Sequence, residues 1–181
     1  MPHNENSRVK IPALVHFTRL GYKYISLRKY EGVIDDDTNI LVDVFCDAIN
    51  RINATSLTTT DVQKIVNALK AMLENDDLGR EFYSVLINGY NGLKLIDFED
   101  FGGTVNSYHV VTEMNCKNGS DEFRPDITPL INGIPLAFIE VNTEFVLPHL
   151  RKHANGTVVG YGVREVPSDS SIRQVLMPLF N

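Results

Sequence analysis

The stretch Phe123-Arg-Pro-Asp-Ile-Thr-Pro-Leu-Ile-Asn-Gly-Ile-Pro-Leu-Ala-Phe-Ile-Glu-Val-Asn142 reads as two apolar strands joined by a tight turn at Asn132-Gly133. Asn-Gly readily supplies the two positive-φ positions that a two-residue hairpin loop needs. Asp126 stands behind Pro125, where the first strand opens. Glu140 closes the second strand, and Asn142 shares its face if the strand is regular. An acid in an apolar strand is expensive to bury without a partner. Two in one hairpin point to a compensating cation.

Loop length decides whether the two acids can meet. A two-residue loop sets Ile131 against Ile134 and Asp126 opposite Ile139, which sends Glu140 to the other face. A three-residue loop over Ile131-Asn132-Gly133 pairs Leu130 with Ile134, puts Asp126 opposite Phe138 and returns Glu140 to its side. A bulge near Pro125 would do the same. Acids that share a metal are therefore incompatible with a simple two-residue hairpin.

Pro-Asp, a hairpin and then Glu-x-Lys is the PD-(D/E)xK nuclease pattern, which Pro125-Asp126 and Glu140-Val141-Asn142 resemble. The wording from Arg124 to Val141 is similar to that of the R (restriction) subunit of type I restriction enzymes. Arg8-Val-Lys-Ile-Pro-Ala-Leu-Val-His-Phe-Thr-Arg-Leu-Gly-Tyr-Lys-Tyr24 also resembles the start of R subunits. The likeness covers residues 5 to 142 with gaps. It implies an α/β fold with a PD-(D/E)xK restriction-endonuclease-like core, a mixed β-sheet flanked by helices. It also implies Mg²⁺ held by Asp126 and Glu140, with the Val141 carbonyl as a further ligand. The family often adds an acid from its first helix, and Glu5 is the nearest match; an acid favourable to the helix dipole is the other reading of Glu5.

The chain departs from the family at Asn142, which stands where the motif lysine belongs. Residues 143 to 181 do not look like the family's usual continuation, and the Gln-x-x-x-Tyr element is missing. No Gly-x-x-x-x-Gly-Lys-Ser/Thr phosphate loop occurs, so ATP would enter only through motor domains that this sequence lacks. The expectation is one nuclease-like domain over 1–181, a fragment or truncated product, with a helical block at 35–88 and the metal-site hairpin at 123–142.

Composition agrees with a globular chain: 43% apolar and 22% charged residues over 181 positions allow a sizeable core. A net charge of −6 argues against a domain that coats nucleic acid nonspecifically, so contact with DNA needs a local basic patch or partner subunits. Two cysteines, Cys46 and Cys116, fit a reducing compartment. With no spanning apolar run and no signal peptide, a cytoplasmic location away from membranes is expected.

Taken in order, residues 7 to 20 form a first helix with Pro12 near its start, and Gly21 stops it. Residues 22 to 27 are a short strand. Asp35-Asp36-Asp37-Thr38-Asn39 caps a second helix striped by Ile40, Leu41, Val44, Phe45, Ala48, Ile49 and Ile52; calcium-loop spacing is absent. Thr60 with Gln63 is a capping box for a third helix carrying Val62, Ile65, Val66, Leu69, Met72 and Leu73. A fourth follows with Phe82, Tyr83, Leu86 and Ile87. Residues 93–98 and 107–114 are strands, and Lys117 to Glu122 is a loop into the hairpin. Asp97, Glu99, Asp100 and Glu113 are further acids near the sheet, either supporting the metal or facing solvent. Beyond Asn142 the pattern predicts a short helix through His149 and His153, a strand at 156–163 and a helix at 170–180. His149-x-x-x-His153 has zinc-ligand spacing without a third ligand.

The resemblance implies a type I site-specific deoxyribonuclease domain. Within the intact protein it would cut double-stranded DNA after ATP-driven translocation, in complex with methyltransferase and specificity subunits. The contrasting expectation is a non-catalytic nuclease-like module for docking or DNA contact, with Asn142 as the sign of lost chemistry. A third is an α/β domain whose two acids are structural.

Overall fold

The computed structural model describes residues 9–77, 79–100, 103–118 and 121–140, together with the strand backbone at 149–152, 158–162 and 174–175. The chain is mixed α/β, with helices against both faces of a mixed sheet. Strand β1 (Lys23–Tyr24) runs parallel to β2 (Tyr108–Thr112), and β2 pairs antiparallel with β5 (Ile127–Ile131). Strand β5 pairs antiparallel with both β6 (Ile134–Pro135) and β7 (Phe138–Ile139), and β10 (Gln174–Val175) adds to β7. Among the described residues the sheet therefore has six strands. Strands β3 (Cys116–Asn118) and β4 (Asp121–Phe123) form a separate hairpin where a loop was expected. Strands β8 (His149–Lys152) and β9 (Val158–Gly162) form another.

Helix α1 (Ile11–Arg19) carries Pro12 in its first turn, where a missing N–H is harmless. Its Ala13, Leu14 and Phe17, with Val9 before it, cover Val110, Ile127 and Ile139 on one face of the sheet. The opposite face, with Val111, Leu130 and Phe138, packs with Leu41 and Val44 at the start of α2 (Val42–Asn53). Helix α3 (Thr59–Leu73) and α4 (Arg80–Asn88) extend that side into the main apolar cluster around Phe45, Ile49, Val66, Leu69 and Phe82. The stripes of α2 and α3 are buried as their spacing predicts; Leu73, Tyr83 and Ile87 are exposed.

Several local expectations are corrected. The acid run does not cap α2. Asp35 instead closes its own turn by accepting from the Thr38 N–H at 2.9 Å and hydroxyl at 2.8 Å, and Leu41 precedes the helix. The capping box of α3 is Thr58 with Asp61, two residues upstream of the predicted pair. Residues 93–98 are not a strand. Leu95 and Ile96 are buried, and the segment is held by side chains instead: the Lys94 N–H donates to Asn53 Oδ1 at 2.8 Å and Asn132 Nδ2 donates to the Leu95 carbonyl at 2.9 Å. His149 lies in β8, not in a helix, and Gln174–Val175 is strand where a helix was predicted. The remainder of that predicted helix, and His153, lie outside the described residues.

The central hairpin turns on two residues, Asn132 at φ 53° and Gly133 at φ 80°, and pairs Ile131 with Ile134 and Leu130 with Pro135. Asn132 is fully buried, and its side chain accepts from the Ser107 N–H at 2.7 Å and donates to Asn106 Oδ1 at 2.9 Å. A Cβ on Gly133 would stand 2.7 Å from the Leu41 carbonyl, so the turn needs glycine for both its backbone and its contact with α2.

Candidate functional site

The ladder changes step along the hairpin. Leu130 pairs with Pro135, but Ile127 pairs with Ile139, so three residues on the returning strand answer two on β5. That is a bulge of one residue between Pro135 and Ile139. It falls where Pro129 and Pro135 remove backbone donors from facing strands. Carried one step past Ile127 and Ile139, the register aligns Asp126 with Glu140. Both simple alternatives are corrected: the loop has two residues, and the compensating bulge lies in the second strand rather than near Pro125. On its other side β5 pairs Ile127 with Thr112, and the Glu113 N–H donates to the Asp126 carbonyl at 3.2 Å. Glu113, Asp126 and Glu140 therefore stand on one rung at the end of three adjacent strands.

Lys10 reaches this rung from the N-cap position of α1. It is 8% exposed, with its ammonium 2.8 Å from Asp126 Oδ1 and 3.0 Å from Glu113 Oε1. Burial works against its charge, but hydrogen bonds to Asp126 and Glu113 prevail and raise its pKa above the usual lysine value. The Lys10 hydrogen bond holds the Glu113 carboxyl below its ordinary range, with Arg124 adding to the effect. Glu113 ends β2 at φ 53°, a left-handed position that lets its chain leave the ladder. Its side chain is about half exposed (48%), whereas that of Asp126 is 20% exposed.

Of the residues singled out from sequence, Asp126 and Glu140 adjoin the paired residues Ile127 and Ile139. Glu5, Val141 and Asn142 lie outside the described residues. Asp97 and Asp100 belong to a loop at the other end of the sheet. Burial would raise the Asp100 carboxyl, but the N–H groups of Asn106, Thr104 and Val105 and the Thr104 hydroxyl bring it down to about 2. Lys10 was not singled out. The available signal is its place in an apolar stripe, four residues before Leu14 and seven before Phe17, where a lysine needs a buried partner.

Carboxylate oxygens suit a hard cation such as Mg²⁺, which takes one or two carboxylates and completes its shell with water and phosphate. Among the described residues no group of three or more His, Cys, Asp or Glu is placed to hold a metal ion. Asp126 and Glu140 are two carboxylates, a donor type that magnesium takes, and Lys10 already holds Asp126 Oδ1 at 2.8 Å. A cavity of about 400 Å³ lies at the opposite end of β2, lined by Lys23, Asp47, Arg51, Ser107 and His109, and is separate from this rung.

The rung also stands inside the segment that identifies the chain: a family model described as "Type I restriction enzyme R protein N terminus" matches residues 2–153. The chain belongs to this family. Among curated proteins, the chain is 32% identical over 164 residues to the "Putative type I restriction enzyme MjaIXP endonuclease subunit" of Methanocaldococcus jannaschii. The alignment covers 76% of this chain and 15% of that relative. No helix among the described residues is long and apolar enough to cross a membrane.

Proposed function

We propose that this R-protein N-terminal domain is the endonuclease module of a type I restriction-modification system, and that its DNA-hydrolysing site is the end of the hairpin where Asp126 and Glu140 face each other. The observation that carries this is the changed register, Ile127 with Ile139, because a two-residue turn alone would send the two acids to opposite faces. The family assignment and the printed name of the archaeal relative support the same reading.

Asp126 would be the principal ligand of a magnesium ion and Glu140 the second; the Val141 carbonyl and Glu5, the further ligands the family resemblance implies, lie outside the described residues. When bound, the ion supplies an activated water and neutralises charge on the phosphate. The remaining groups position. Lys10 fixes one oxygen of Asp126, and the Glu113 N–H fixes its backbone. Asn142 can donate a hydrogen bond but brings no charge, so the electrostatic part of the motif lysine's role is missing. By analogy with removal of one preorganised donor, that loss is about 10²–10³ in rate. In the intact protein, cleavage would be coupled to ATP-driven translocation by further domains and to methyltransferase and specificity subunits, in the cytoplasm.

A second reading follows from Asn142 itself: a nuclease-like module kept for docking or DNA contact. Plasmid nicking in Mg²⁺ or Mn²⁺ by the parent and by Asn142→Lys separates the two. The nuclease reading expects weak nicking that rises with lysine and vanishes in Asp126→Asn. No nicking by either chain, or no gain from lysine, favours the docking module.

A further inference from the structure

The acidic rung already contains a cation, and it belongs to the chain. We infer that Lys10 is the resident counter-ion of this site and that its ammonium competes with a divalent metal for Asp126, with Glu113 as the place to which it withdraws. The inference rests on the reading that Asp126 belongs to a cation site.

Three observations carry it. The ammonium contacts both carboxylates at hydrogen-bond distance, 2.8 Å to Asp126 and 3.0 Å to Glu113, and is itself buried. Such burial is tolerated only because the charge is paired. The two acids differ in exposure: the Asp126 side chain is 20% accessible and that of Glu113 48%. Finally, Lys10 is the N-cap residue of α1, on a flexible four-carbon stem, so its head can move without moving the helix.

A divalent ion on Asp126 would stand within a few ångströms of this ammonium, and like charges so close repel strongly. The ion is favoured if the ammonium swings toward the more exposed Glu113 and releases Asp126 Oδ1. Lys10 and Glu113 then act as a positioning pair that sets the affinity of the rung for metal. The two residues have opposite influence. Removing Lys10 takes the ammonium from both acids and strengthens metal binding; removing the Glu113 charge confines Lys10 to Asp126 and weakens it.

Calorimetric titration with Mn²⁺ at pH 7 tests this on the whole chain, with circular dichroism to verify folding. Lys10→Met is expected to bind Mn²⁺ on the order of tenfold more tightly than the parent. Lys10→Arg should stay close to the parent, Glu113→Gln should bind more weakly, and adding Asp126→Asn to Lys10→Met should abolish the gain. A folded Lys10→Met with equal or weaker affinity, a gain in Glu113→Gln, or binding indifferent to Asp126→Asn would overturn the inference. If Lys10→Met does not fold, Glu113→Gln carries the test: weaker binding upholds the inference and a gain overturns it. Binding by Lys10→Met but not by the parent upholds the counter-ion and removes the metal site proposed for the parent; binding by neither removes both.

Discussion

Ile127 pairs with Ile139 across a hairpin whose turn pairs Ile131 with Ile134, so the returning strand gains one residue on its way to the acidic rung. That residue aligns Asp126 with Glu140. The turn itself is anchored against α2, since the Leu41 N–H donates to the Gly133 carbonyl at 3.0 Å.

The anchoring makes Gly133 far less replaceable than Gly21, although both have positive φ, 80° and 94°. A Cβ at Gly21 meets nothing within 4 Å, whereas one at Gly133 meets the Leu41 carbonyl at 2.7 Å. Gly21→Ala should cost about 1 kcal/mol, from backbone strain alone. Gly133→Ala should cost about 3 kcal/mol or more, because overpacking adds to the strain. Urea unfolding of both variants measures the difference; equal losses would refute the docking of the turn.

Thr58 caps α3 through the Asp61 N–H, and Asp61 reaches back to the Thr58 N–H at 3.2 Å. Thr58→Ala should therefore destabilise by about 1 kcal/mol, while Thr60→Ala, inside the helix, should change stability little. Hydrogen bonds from the Thr58 hydroxyl, Lys64 and the Thr58 backbone hold the Asp61 carboxyl at about 2. Its folded value is depressed, so its stabilising effect is present above the ordinary carboxylate range and is lost as pH falls toward 2. The acid limb of the urea midpoint should show this loss in the parent and less of it in Thr58→Ala.

His109 Nδ1 is buried without a hydrogen-bond partner among the described residues. Burial first, then the nearby charges of Lys23 and Arg51, lower its pKa below 6.5. The folded chain keeps it neutral, so the unfolded chain binds the extra proton. Stability from this residue is complete above about 6.5 and declines as pH falls through that value toward the lower folded one. In NMR titration the His109 imidazole should have a midpoint below 6.5, and His109→Gln should flatten that segment of the stability profile. A midpoint at or above 6.5 would contradict the buried environment.

Asn39 joins the turn before α2 to the β3–β4 hairpin through a pair of hydrogen bonds. Its Nδ2 donates to the Lys117 carbonyl at 2.9 Å, and its Oδ1 accepts from the Lys117 N–H at 2.8 Å. Asn39→Ala should lower global stability by about 2 kcal/mol, since it leaves partly buried backbone groups unpaired. Hydrogen exchange should show faster exchange at the Lys117 amide while α3 keeps its protection. Unchanged exchange at Lys117 would mean that another contact holds the hairpin.

The sequence by itself determined the Asn132-Gly133 turn, the apolar faces of α2 and α3, and the family. Each is written in local preferences: positive φ at Asn-Gly, a helical period, a run of specific wording. It also supplied Asp126 and Glu140 as the pair to examine. Only the tertiary structure decided that they align, because register depends on where Pro129 and Pro135 break the ladder between strands. The same holds for Leu95 and Ile96, whose apolar run suits a strand until Asn53 and Asn132, distant in sequence, take up its backbone groups. Lys10 is the sharpest case. Its burial is intelligible only once Glu113 and Asp126, more than a hundred residues away, stand beside it, and no local pattern encodes a charge pairing across that separation.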